Sequence, residues 1–109
     1  MKTGIKQSIL AASISLLFTA PLIAGDTIKL GVAGPHSGDL ASYGIPTIKA
    51  AELGGKEVNA RGGINGKQVE LLIEDDVCKP EIATNTATKL VSDGVDAVLG
   101  HICSGATKA

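Results

Sequence analysis

Asp75 and Asp76 stand side by side, as carboxylates do where one gives a proton and the other takes it. The pair also reads as a solvated loop end, the ordinary fate of a charge run. His36 and His101 have no visible partner; His36 reads as exposed loop and His101 as a structural hydrogen-bonding residue at a strand end. Ser104, ahead of Gly105-Ala106-Thr107, is placed to cap a helix with its hydroxyl. The free amides and positive end of such a helix favour an anion, so a carboxylate at Ser104 would be well placed; water is the bland occupant. Tyr43 can wall an apolar ligand pocket or simply pack half exposed. Gly31, Gly34 and Gly38, with Glu74, Asp75 and Asp76 further on, invite comparison with a dinucleotide fingerprint. Their spacing is GxxGxxxG rather than GxGxxG, which fits a glycine-rich surface loop better.

The elements that must position these residues are well punctuated. Thr27–Ala33 (TIKLGVA) predicts a strand, and the loop 34–44 follows. A helix is expected over Ile45–Arg61, with Pro46 in its first turn, where a missing N–H costs nothing. Ile48, Ala51, Gly55 and Val58 share one face at helical spacing. Close packing on a sheet would explain Gly55, while Gly54 has no evident reason. Gly62-Gly63 ends the helix and Asn65-Gly66 makes a tight turn. Val69–Glu74 is a second strand and 75–79 a loop. Pro80–Asp93 is a second helix with a buried stripe of Ala83, Ala87, Leu90 and Val91, capped by Gly94. Val95–Leu99 is a third strand, 100–106 a loop, and a further helix is expected near Thr107. The order βαβαβ implies parallel strands with helices on both faces, an α/β doubly wound sheet. Ligands in such sheets bind beyond the carboxyl ends of the strands, which selects the loops 34–44, 75–79 and 100–106. Three strands and two helices make a poor core, so the sequence is expected to be the front part of a longer protein.

Composition narrows the classes. The 109 residues carry 10 Lys+Arg against 11 Asp+Glu, a net charge of −1, with no basic excess for nucleic acid and no disorder-type bias. The mean hydropathy of +0.27 is raised by the start of the chain. Lys2 and Lys6 precede an uncharged apolar run over 8–18, then come Pro21 and Leu22-Ile23-Ala24. Residues 1–24 therefore read as a secretory signal peptide cut after Ala24, with Gly25 as the alternative cut; the run falls short of the roughly 20 apolar residues of a membrane anchor. An exported chain with two cysteines, Cys78 and Cys103, reads first as one disulfide, which would stabilise by about 3.5 kcal/mol in the chain-entropy picture. Two free buried thiols are the alternative. Zinc fits poorly, since no CxxC or HxxH is present and His101 with the cysteines gives only three ligands.

Several segments together resemble one family: Ile28–Val32 with Gly34–Gly38, Tyr43-Gly44, Val58–Gly66 (VNARGGING), Glu74-Asp75-Asp76 with Cys78, and Gly100–Ser104 (GHICS). They are similar to the start of periplasmic leucine/isoleucine/valine-binding proteins, the substrate-binding components of branched-chain amino acid ABC importers. The resemblance is continuous over 26–109. Its most specific part is Cys78 and Cys103 with GHICS; the VNARGGING type of segment marks the wider class of amino-acid and amide receptors.

The resemblance implies a two-lobed fold closing on its ligand, of which residues 25–109 supply the first part of the N-terminal lobe. It implies the disulfide Cys78–Cys103. It implies that Ser104 binds the amino acid's α-carboxylate, that main-chain groups at Ile102 and Cys103 contact the ligand, and that Tyr43 lines the side-chain pocket. The implied partners are the ligand and a membrane permease driven by an ATPase, with a monomeric periplasmic protein, no cofactor, no metal and no catalysis. Two departures stand out. Lys79 replaces an aspartate that would cap the second helix, and Gly105 replaces a hydroxyl residue. Two other readings remain. The fold could be the ligand domain of a sensor, marked by a downstream membrane or signalling segment. It could also be an exported enzyme using Asp75 and Asp76, marked by turnover lost when they are changed.

Overall fold

The computed structural model describes residues 26–109. The expected signal peptide at 1–24 lies outside the described residues. Three parallel strands, β1 (Ile28–Gly34), β2 (Val69–Asp75) and β3 (Ala97–Leu99), form one sheet in the order β2-β1-β3. They alternate with α1 (Ala41–Ala60), α2 (Pro80–Ser92) and α3 (Ser104–Lys108). β1 is central, pairing with β2 along its whole length from Ile28↔Val69 to Gly34↔Asp75 and with β3 over Leu30↔Ala97 to Val32↔Leu99.

The two long helices cover opposite faces. Gly55 of α1 lies over Leu71, and Leu90 of α2 fills the space above Gly31, where an added Cβ would come within 3.0 Å of its Cδ1. Leu71 pairs with Leu30, so it points away from the face that Gly31 opens. This is what the doubly wound expectation requires. The core is small: Val32, Ala33, Ala83, Leu90 and Ala106 are its buried apolar residues.

The turn chemistry follows the sequence closely. Both long helices end in Schellman motifs, with Gly63 N–H to Val58 O and Gly62 N–H to Asn59 O after α1, and Val95 N–H to Leu90 O and Gly94 N–H to Val91 O after α2. Asn65 and Gly66 both have positive φ and reverse the chain between the mutually bonded Ile64 and Lys67. The Asn59 side chain pairs with both backbone groups of Val69, at 2.7 and 2.9 Å, and so starts β2. The VNARGGING segment is thus a device for turning α1 into β2.

Three expectations are corrected. α1 begins at Ala41 rather than Ile45, so Pro46 lies inside the helix and Tyr43 on its first turn instead of in a loop. Proline removes only one helical donor there, and the start is fixed by Ala41 N–H on Gly38 O and Tyr43 N–H on Leu40 O. Val91 is exposed, and Thr86 takes its place in the stripe because its hydroxyl is satisfied by Ala83 O at 2.9 Å. Gly55 is not forced by close packing, since a Cβ there would meet Leu71 at an ordinary 3.8 Å.

Candidate functional site

The three loops at the carboxyl edge are bound to one another through the two adjacent aspartates. Asp75 Oδ1 accepts from the His36 and Val77 amides at 2.8 and 2.9 Å, and its Oδ2 accepts from the Ser37 hydroxyl. It thereby ties the loop after β1 to the loop after β2. Burial pushes its pKa up, but the bonds from Ser37, Val77 and His36 together outweigh this and hold the carboxyl below its ordinary value.

Asp76 turns the other way. It is fully buried, accepts the Cys78 amide on Oδ1 at 2.7 Å, and accepts from His101 Nδ1 on Oδ2 at 2.5 Å. The aspartates also hold Val77 and Cys78 in left-handed conformations, φ 51° and 61°, which a β-branched residue such as Val77 seldom adopts. Cys78 is thus turned toward Cys103, and the two are disulfide-bonded with Cα atoms 5.5 Å apart. Both sulfurs are consumed, which removes the zinc alternative. The loops after β2 and β3 are bridged twice across the end of β1.

Asp75 and Asp76 are therefore brackets rather than a solvated loop end. The sequence did carry a signal for this, because aspartate readily bonds the amide two residues on, as Asp75 does with Val77 and Asp76 with Cys78. His101 is the structural residue expected. His36 is not exposed loop: both ring nitrogens are buried with no hydrogen-bond partner among the described residues, the ring being covered by Gly34 and by Gly44 of α1.

The expected ligand residues fall on two elements. Ile102 and Cys103 end the loop after β3, and Ser104 follows as the first residue of α3. Cys103, not Ser104, occupies the N-cap position, and no side chain caps the helix. The reason is that the disulfide and the His101 anchor bring the chain into helical geometry one residue early. As first helical residue, Ser104 has an amide without a helical acceptor, and its hydroxyl bonds nothing among the described residues. The Ile102 side chain lies against Gly34, where a Cβ would approach within 2.9 Å of its Cδ1. Tyr43 is 66% exposed on α1. α1 and α3 do not touch; Tyr43 lies on the first turn of α1 after β1, and Ser104 opens α3 after the neighbouring strand β3.

A cleft of about 490 Å³ lies elsewhere on this edge, lined by Gly38, Asp39, Leu40, Val77, Cys78 and Lys79. None of Tyr43, Ile102, Cys103 or Ser104 lines it, so it is distinct from the expected ligand position. Among the described residues no cluster of three or more His, Cys, Asp or Glu could hold a metal, and no helix is long and apolar enough to cross a membrane.

A family model described as periplasmic binding protein matches residues 27–109. The chain is 43% identical over 103 residues, 87% of its length, to the leucine-, isoleucine-, valine-, threonine- and alanine-binding protein of Pseudomonas aeruginosa. It is 39% identical over 102 residues, 94% of its length, to the Leu/Ile/Val-binding protein of Escherichia coli K12. Among solved structures, the branched-chain amino acid transporter substrate-binding protein of Streptococcus pneumoniae in complex with isoleucine superposes with a TM-score of 0.72 at 43% identity over 75% of the chain. The chain spans 28% of the length of each of the two curated relatives and 24% of the solved one.

Proposed function

Because the chain belongs to the periplasmic binding protein family, we propose that it forms the first part of the N-terminal lobe of a substrate-binding protein that captures branched-chain, aliphatic amino acids in the periplasm for an ABC importer. Residues 1–24 direct export and residues 25–109 build the partial lobe. The ligand's α-carboxylate meets the Ser104 hydroxyl and the amides around it, with main-chain groups of Ile102 and Cys103 beside them. Tyr43, on the first turn of α1, walls the pocket for the aliphatic side chain. Binding is non-covalent, without cofactor or catalysis, and closure of two lobes presents the loaded protein to a membrane permease. Asp75 and Asp76 support the non-enzymatic reading, since both carboxylates are already engaged within the fold.

The observation that carries this reading is the 43% identity with a Streptococcus pneumoniae binding protein crystallised with isoleucine. Calorimetry on the whole protein tests it. Ser104→Ala is expected to weaken leucine binding by about 1–3 kcal/mol, the cost of a lost hydrogen bond to a charged group. Unchanged affinity would remove Ser104 from the site.

A further inference from the structure

We propose that Asp76 and His101 are positioning residues for the ligand's carboxylate, holding residues 102–104 where the ligand meets them; this rests on the assignment of Ser104 above. Every polar group of the buried Asp76 is engaged. Its N–H donates to Gly34 O at 2.9 Å, its carbonyl accepts the Lys79 amide at 2.9 Å, and its two carboxylate oxygens take the Cys78 amide and the His101 ring. One residue thus joins the end of β1 to both neighbouring loops. His101 passes the constraint on, because its carbonyl accepts the Thr107 hydroxyl from within α3 at 2.6 Å. Ser104 lies between those two anchor points.

The disulfide acts on the same stretch at Cys103. A single tether leaves the chain free to pivot about it. A second one, two residues away and on a buried acceptor, removes that freedom. The covalent bond sets how far apart the loops stand, and the Asp76–His101 bond sets which way Ser104 is aimed. A binding group displaced by a fraction of an ångström loses much of its hydrogen bond.

The test is leucine calorimetry on the whole protein, wild type against His101→Ala, His101→Asn and Thr107→Val. Melting temperature and free-thiol content are measured on each. Asparagine can donate an N–H from about the place of the imidazole Nδ1–H, so it is the rescue variant. With the disulfide intact, His101→Ala is expected to weaken leucine about tenfold and His101→Asn to recover most of that. Thr107→Val removes only an exposed anchor, so it reports even if His101→Ala fails to fold; it is expected to weaken leucine about threefold. Affinity unchanged in Thr107→Val, or a lower melting temperature with unchanged affinity in His101→Ala, overturns the positioning role. Wild-type protein that binds no leucine overturns the functional reading and this inference with it.

Discussion

At the scale of residues, Asp75 and Asp76 divide one task between them. Neighbouring side chains on an extended chain point to opposite sides, so one aspartate reaches the loop after β1 and the other the loop after β3. Asp75 carries a consequence for acid stability. Its folded pKa is held below the ordinary 3.8, so its contribution is complete above that value and is lost as the pH falls from there through the lower folded value. Asp75→Asn should therefore destabilise the protein near neutral pH, and the gap from wild type should narrow in the acid range. Denaturant unfolding of both proteins at a series of pH values measures this; a gap independent of pH would contradict it. His36 shows what sequence leaves out. Its burial is decided by Gly44 of α1 closing over it, a long-range event that nothing local to His36 announces.

At the scale of elements, the N-terminus of α2 is a weak joint. Lys79 sits at the N-cap in extended conformation with no side-chain cap bond, and its positive charge faces the positive end of the helix. Lys79→Asp is expected to stabilise by about 1 kcal/mol, read as a raised melting temperature. Gly54→Ala should add about 0.5–1 kcal/mol, because a methyl there meets open space. Gly44→Ala should cost about 1–3 kcal/mol, because its Cβ would fall 1.9 Å from Pro35 O. A stabilised Gly44→Ala protein would refute the account of how α1 seats on the first loop. These elements were largely legible beforehand, since hydrophobic spacing and Gly, Pro and Asn punctuation are local signals. The start of α1 was not. Pro46 suggested a first turn, but the helix tolerates it as its sixth residue once the chain is anchored at Gly38 and Leu40. The placement of Ser104 failed for a related reason: its helical position is imposed by the cross-links at His101 and Cys103, which local sequence does not contain.

At the scale of the molecule, the proposed ligand residues are gathered at the carboxyl edge of the sheet. Tyr43 and Ser104 lie on α1 and α3, elements that do not touch one another. The loops at that edge are held by Asp75, by Asp76 with His101, and by the disulfide. In the function proposed above, such bracing would keep that surface in shape while a second lobe closes on it. Residues 25–109 alone are expected to bind no amino acid measurably, because the ammonium and most of the side chain would remain in water. Micromolar leucine binding by this segment in calorimetry would contradict that. The proposed branched-chain ligand rests on similarity to Leu/Ile/Val-binding proteins. The carboxyl-edge rule, by contrast, selects the sheet edge of the proposed site from the order of elements alone. The most direct test is a crystal structure of the whole protein with leucine. A carboxylate oxygen of leucine within hydrogen-bond distance of Ser104 Oγ, beside the start of α3, is the predicted result. Leucine seated with its carboxylate elsewhere, for instance in the cleft between Asp39 and Lys79, would contradict the account.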